Sequence, residues 1–447
     1  MLKNPVLRKF KESVNNTKKV RTAEVNKKRN QITITALVCG AIVLFAFPAL
    51  QAEGLRNPPP GAFALSRLGG KLAHVDDATA VFVNPANLLD LDSKSILIAP
   101  ALIHIDRDVD ADWGGSAGTI ENLKLLGGVF AAFPGTSDKW AWGIGISAPY
   151  GQSVVYEEDF AFKYLTPHFT ELMLVSVTPA IAYRFSDSFS IGVGLDLMWS
   201  RLRLRQSYPW QLATGESSSA DGNMYFKARG TTVGGMLALN WDINPENRIS
   251  FTYRPSFDVS YKGDFWIDNL PSFAPAIGVT ENSDFRTKID YPSIWTLGYG
   301  VELGEKWRLG IDVEHLTWSN FKTLELDVDN NSVLFPSTTL PQYWKDTWTY
   351  GIAGDYKASE LWTFRGGYWF IPTPIPTATL APNIPESDIS VWSISARRLL
   401  GHHALELAYA LLDYKHLVVS DNINPAFNGE YDMGAHVFHL NYSYTFE

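Results

Sequence analysis

From Ser93 to the C-terminus, apolar and polar residues alternate with a period of two, in runs too regular for helices. In 189–199, Phe189, Ile191, Val193, Leu195, Leu197 and Trp199 share one face, and Ser190, Gly192, Gly194 and Asp196 the other. Leu309, Ile311 and Val313 stand against Arg308, Asp312 and Glu314. The last strand sets Phe438, Leu440, Tyr442, Tyr444 and Phe446 against His439, Asn441, Ser443 and Thr445. Successive side chains of a strand point to opposite faces, so each strand offers one face to hydrocarbon and one to a lumen. The pattern predicts about 14 strands, over 93–105, 123–134, 140–150, 171–185, 189–206, 225–243, 247–267, 285–303, 307–328, 344–357, 361–371, 388–399, 404–418 and 435–446. Connections after even-numbered strands are tight, such as Ser186-Asp187-Ser188 and Gly304-Glu305-Lys306. Those after odd-numbered strands are long and polar, such as 106–122 and 151–170. An even strand count with loops sorted by parity is the pattern of an all-β chain folded as a transmembrane antiparallel β-barrel of the Gram-negative outer membrane. A soluble sandwich or propeller gives no reason for that sorting.

One strand departs from its own alternation. After Trp199 the apolar phase passes to Leu202 and Leu204, which puts Arg201, Arg203 and Arg205 on the former apolar parity. A crossing takes about 9–11 residues, so these arginines are expected above the membrane, facing lipopolysaccharide phosphates or water.

Composition supports strands over helical spans. Aromatics make up 13% of the chain, including 15 Trp, at a mean hydropathy of only -0.07. That combination fits aromatic girdles on alternating strands. The formal charge of -9 hides an asymmetry: residues 1–30 carry a net +8, which leaves -17 for the remainder. An acidic body without a basic, aromatic-interleaved stripe excludes a nucleic-acid partner.

Residues 1–52 read as an export signal, with a basic leader, an apolar core over 36–50 and Ala52 before the cut. The uncharged run 31–52 is also long enough to serve as a retained anchor. The single cysteine, Cys39, lies in this segment, so disulfide or thiol chemistry is not expected in the body. No cofactor, metal or catalytic constellation is expected. His402-His403 sits in a tight turn, Asp76-Asp77 reads as a cap or loop pair, and Glu314 and His315 point to opposite faces.

Between signal and barrel lies 53–92, too short to fold alone. Its apolar run 78–83 ends at Asn84-Pro85-Ala86, where proline fixes its own φ and moves Asn84 out of the helical region. In the third strand Gly143, Gly145 and Pro149 fit a distortion, or no more than a bulge. Parity places Arg254 and Arg365 on the lumen side, as cations for a carboxylate or as partners of Asp312 or Glu314.

Several segments occur together and in order: Asn84-Pro85-Ala86, Ser147-Ala148-Pro149-Tyr150-Gly151, Pro292-Ser293-Ile294-Trp295, Asp312-Val313-Glu314-His315, Trp344-Lys345-Asp346-Thr347-Trp348 and Arg365-Gly366-Gly367-Tyr368. In this the chain, over 61–447, resembles the FadL/TodX (OMPP1) family of outer-membrane long-chain fatty-acid and hydrocarbon transporters. It departs from such barrels in ending on Glu447, with Phe446 penultimate. The resemblance implies three parts: a signal over 1–52, a small N-terminal hatch over 53–92 carrying Asn84, Pro85 and Ala86, and a barrel over 93–447. It further implies a hydrophobic small-molecule substrate, lipid and lipopolysaccharide neighbours, and a monomer. Passage would be gated by the hatch, with a lateral opening at Gly143, Gly145 and Pro149 and ligand contacts from Arg254 and Arg365. A general porin, or an outer-membrane enzyme or adhesin, is the alternative reading.

Overall fold

The computed structural model describes residues 53–446, apart from 136, 212–219, 330–333 and 335–338. The expected export signal, its cut after Ala52, Cys39 and Glu447 lie outside the described residues.

Fourteen antiparallel strands among the described residues close on themselves. They are β1 (Ser95–Ala111), β2 (Leu123–Pro134), β3 (Trp140–Val155), β4 (Phe169–Ser186), β5 (Phe189–Tyr208), β6 (Gly222–Asn244) and β7 (Asn247–Arg254 and Phe257–Ile267). The rest are β8 (Asn282–Tyr291 and Ile294–Leu303), β9 (Trp307–Leu316 and Thr323–Val328), β10 (Thr347–Lys357), β11 (Trp362–Ile371), β12 (Ile389–Leu400), β13 (His403–Tyr414) and β14 (Gly429–Thr445). Each strand pairs with its sequence neighbours, and β14 pairs with β1 from Ser95↔Thr445 to Ala111↔Gly429, which shuts the barrel. Closure is what hydrocarbon demands, since a bare sheet edge there leaves amides and carbonyls without partners. β7 is interrupted at Pro255 and β8 at Pro292, where proline has no N–H to give to the ladder.

The expected strands all appear, and so does the alternation. Val193, Leu195 and Leu197 are 46–48% exposed on the outer surface, whereas Asp312 and Glu314 are buried inside. Outward aromatics stack near the tight turns, as Trp140 on Tyr183 (4.4 Å) and Trp307 on Tyr356 (4.5 Å). A second tier, Tyr253 on Trp295 (4.1 Å) and Tyr368 on Trp392 (4.6 Å), marks the opposite margin of the apolar belt. At the long-loop end, strands run past their expected limits. β1 continues to Ala111 with Asp106, Asp108 and Asp110 exposed outward, so part of the expected 106–122 loop is ladder standing clear of the belt.

The N-terminal stretch lies inside this wall. It contains two short helices, α1 (Ala62–Ser66) and α2 (Ala80–Val83), and a 3-10 turn over Pro85–Asp90. Asn84 between the latter two is extended (φ -158, ψ 94), as a residue before proline should be. Phe63, Leu65, Arg67, Val81, Asn84 and Asn87 are fully buried against inward-facing barrel residues.

Candidate functional site

The ladders lapse between β6 and β7 over Gly230–Met236, and again beside β3. The β2–β3 ladder runs only from Pro134↔Ala141 to Val129↔Ile146. Beyond it a bulge between Ser147 and Tyr150 turns the strand, and β3 pairs with β4 alone. Tyr150 to Val155 are all buried, on both faces of the strand, so this half of β3 has turned into the lumen. The edge of β2 over Leu123–Gly128 therefore has no β3 partner, until Ile120 N–H reaches the Val155 carbonyl (2.9 Å) at the loop end. Pro149 sits in the bulge and cannot donate to any ladder.

Residues 55–57 occupy the edge that β3 loses. Asn57 N–H donates to the Pro149 carbonyl (3.0 Å), its side-chain amide to Ala148 (2.8 Å), and Gly151 N–H to Leu55 (2.8 Å). This clip is held from behind by buried acids. Thr347 Oγ1 donates to Glu53 (2.7 Å), Gly54 N–H to Glu386 (2.9 Å), and Arg56 to Glu314 (2.6 Å). Burial pushes the Glu53 carboxyl up to about 7, against the pull of Arg56, and the Glu386 carboxyl up to about 8.

The clip separates two spaces. On the loop side is a cavity of about 710 Å³ lined by Leu55 with Leu172, Leu202, Phe226, Leu326 and Leu380. That is the size of a site for a drug-sized apolar molecule. On the inner side is a pocket of only about 60 Å³, bounded by Pro149, Tyr150, Phe82, Phe257, Lys71 and Arg254. It has room for a few waters and none for an acyl chain. Its cations all hold carboxylates. Arg254 donates to Asp196 (2.7 Å) and to the Phe82 carbonyl (2.6 Å), and lies over the Phe82 ring (4.5 Å). Lys71 pairs with Glu314 (3.2 Å) and sits over Trp369 (3.7 Å).

Beneath the clip the segment is seated backbone against backbone. Gly69 (φ +91) lies against Gly351 of β10, Gly70 against Gly310 of β9, and the Leu68 and Ser66 carbonyls against Gly367 of β11. A Cβ on Gly351 would stand 2.8 Å from Gly69 Cα and one on Gly70 2.3 Å from the Gly310 carbonyl oxygen, so no side chain fits at either place. Asp312 N–H donates to Gly69 (2.6 Å), and the Asp312 carboxylate receives Lys71 N–H (2.8 Å). Gly192 of β5 makes the same allowance for the Pro85–Ala86 backbone, 2.4–2.6 Å from where its Cβ would be. Asn84 donates to Asn240 (2.8 Å) and to the Leu72 carbonyl (2.9 Å), while its own oxygen caps Ala86 N–H (3.1 Å).

A charge lock completes the docking. Asp76 accepts from Arg308 (2.7 Å) and Arg365 (2.6 Å), with Arg397 at 3.4 Å. Burial would raise the Asp76 carboxyl, but the three guanidiniums hold it well below the usual range. Its neighbour Asp77 is pushed up to about 6 by burial and by the charge on Asp76, and accepts from Thr79 N–H (2.9 Å) at the start of α2. Asp355 binds Arg67 (2.5 Å) and Arg308 (2.6 Å), and Arg365 also holds Glu406 (2.6 Å).

The residues singled out from the sequence thus fall into separate places. Arg254 and Pro149 line the same small pocket. Gly143 and Gly145 do not reach the ladder-free stretch: they lie in the paired part of β3, where their inward faces make room for Val81 and Phe130. Arg254 and Arg365 both face inward, but their partners are not the expected ones. Asp312 and Glu314 are held by Lys71 and Arg56, so Arg254 takes Asp196, and Arg365 takes Asp76, Asp355 and Glu406. With three carboxylates around it, Arg365 is a fastener of the segment. The clip 55–57 and the glycine seats were not singled out. The seats left a signal, since Gly298, Gly300, Gly310, Gly351 and Gly367 all fall on lumenal parity, where a packed barrel would carry side chains. No group of three or more potential metal ligands occurs among the described residues.

Known proteins share this architecture. The family profile described as outer membrane protein transport protein (OMPP1/FadL/TodX) matches residues 62–446. The long-chain fatty acid transport protein of Escherichia coli O6:H1 is 22% identical over 73% of this chain and 79% of its own length. The putative outer membrane protein NMB0088 of Neisseria meningitidis serogroup B is 25% identical over 92% and 98%. Among solved structures, a Pseudomonas aeruginosa FadL homologue superposes with a TM-score of 0.78 at 19% identity, covering 88% of this chain and all of that one. The Pseudomonas putida toluene transporter TodX superposes at 0.67 and 15% identity, with the same coverage.

Proposed function

The chain belongs to the OMPP1/FadL/TodX outer-membrane transport family, and from that premise we propose that it admits hydrophobic compounds, long-chain fatty acids or related apolar molecules, by diffusion through a barrel gated by its N-terminal segment. The observation that carries this reading is the clip. Residues 55–57 stand between a large apolar cavity on the loop side and a small inner pocket, on the strand edge beside a stretch of β2 without a ladder. Substrate collects in the outer cavity, displaces the clip, and leaves sideways between β2 and the inturned half of β3. A single barrel acting as a monomer suffices for this route. A general porin would need an unobstructed lumen, and the fully buried α1 and Asn84–Asn87 fit that poorly. The cations of the inner pocket favour an acidic amphiphile, whose carboxylate would exchange with Asp196 at Arg254.

Proteoliposome uptake tests the reading. Oleate or toluene should enter, and a disaccharide should not. A disulfide placed between positions 57 and 149 (Asn57→Cys with Pro149→Cys) should stop hydrophobic uptake until it is reduced. Free sugar passage, or uptake indifferent to the closed disulfide, would reject the gate.

A further inference from the structure

The outer wall above the apolar belt carries an arrangement that transport does not use. Arg201 of β5 stands directly opposite Arg229 of β6, Arg229 opposite Lys262 of β7, and Lys262 opposite Arg286 of β8. Four cations thus form one unbroken row across four neighbouring strands. Their parity is outward, since Ala228, Tyr261, Phe285 and Thr287 on the alternate positions are buried inside. Like charges directly opposite on a sheet repel at about 5 Å and destabilise the pairing, so such a row calls for an anion.

Among the described residues, ion pairs reach only the ends of the row. Glu171 takes Arg201 (2.9 Å) and Arg203, and Asp327 and Asp329 take Arg286 (3.2 and 3.1 Å). Asp258 and Asp290 are engaged by Lys288. Arg229 and Lys262 in the middle, and Lys227 one step above, are exposed and have no ion-pair partner among the described residues; Asp264 stands opposite Lys227 in register without forming one. The height of the row matters equally. Two residues below Arg201 is Trp199, and below it Leu197 opposite Val233, both fully on the apolar belt. At about 3.3 Å per residue, Arg201 lies about 7 Å above Trp199, where the phosphates of an outer-leaflet lipid sit, and the row climbs from there through Arg229 to Lys262 and Arg286, which stand nine residues above the Tyr253–Trp295 tier.

We propose that Arg201, Arg229, Lys262 and Arg286, with Lys227 and Arg203, form a binding site on the barrel wall for the phosphates of lipopolysaccharide. The site is selective for phosphorylated lipid A, because Arg229 and Lys262 have charge to offer and the carboxylates at either end of the row fix the outer arginines beside them. It sits on the β5–β8 wall, whereas the β1–β14 wall at the same end places Asp108 opposite Asp432 and Asp110 opposite Glu430. The lipid is therefore held on one side of the barrel.

The test uses the full-length protein purified from outer membranes and native mass spectrometry after exchange into detergent with added lipid A. Wild type should retain bisphosphorylated lipid A about tenfold better than dephosphorylated lipid A, as expected from about 1 kcal/mol per basic residue at a membrane surface. The double variant Arg229→Glu/Lys262→Glu should lose that preference, Arg229→Lys should keep it, and Asp108→Asn/Asp432→Asn on the other wall should leave it unchanged. Equal retention of both lipids by wild type would overturn the site without recourse to any variant. So would a preference that survives the double reversal in a protein still heat-modifiable, or one lost equally in the acidic-wall control.

Discussion

At the scale of single residues, the inward glycines and one arginine say most. Gly69, Gly310, Gly351 and Gly367 are where segment and wall meet backbone to backbone, and a Cβ on Gly310 would meet only Gly70 and Arg67 of the segment, so Gly310→Leu should evict the segment while leaving β9 paired. Limited proteolysis within 53–92, absent in wild type, reports it. Asp355 is shared by Arg67, Arg308 and Arg365; Asp355→Ala leaves these guanidiniums undercompensated and should weaken docking by about 3–5 kcal/mol. Arg254 gives a prediction with two signs. Arg254→Ala should lower affinity for a fatty acid by about 1.5–3 kcal/mol, the worth of a hydrogen bond to a charged group. Asp196→Asn, which frees the guanidinium, should raise it. Binding of an uncharged hydrocarbon, titrated in parallel, should follow neither change.

Among elements, β3 and its clip would decide what opens on the proposed route. Glu53 and Glu386 both have carboxyls raised by burial, to about 7 and about 8. A raised acid favours the docked state while it is protonated, and that contribution is lost as pH rises through the docked value. The clip should therefore be tightest below about pH 4.5, the ordinary carboxyl value, and loosen progressively between about pH 4.5 and 8; Arg56 beside Glu53 and Glu314 offsets part of the loss. Oleate uptake measured across this range should rise with pH, and Glu386→Gln should flatten the upper part of the profile. The strands themselves were legible because alternation and turn chemistry are local: Phe189 to Trp199 announces its two faces without reference to any partner. The clip was not, because Leu55-Arg56-Asn57 has no period, and its meaning depends on a free edge 91 residues away at Ala148. For the same reason Pro149 could be read as a break while Gly143 and Gly145 were grouped with it, although their ladder to β2 is intact. Pairings such as Arg365 with Asp76 join residues 289 apart and follow from the closed barrel alone.

For the whole molecule, the proposed gate makes wall and N-terminal segment separable. The barrel closes through β1 and β14 without using residues 53–92 as strands. Deleting 53–90 should leave a heat-modifiable barrel with raised, nonspecific conductance in planar bilayers; conductance equal to wild type would remove the plug from the picture. The clip has one more consequence, and it concerns water. An apolar substrate that displaces Leu55–Asn57 cannot replace the hydrogen bonds to Ala148, Pro149 and Gly151, and a buried amide or carbonyl left bare costs about 1–3 kcal/mol. Only water can take those bonds over, so on the proposed route the open passage must be wet although its cargo is oily. Each opening is then a hydration event, and it leaves an isotopic trace. In deuterated buffer, the amides of Asn57 and Gly151 should exchange faster when oleate is added. The paired stretch from Ala141 to Ile146, a few residues below, should keep its protons.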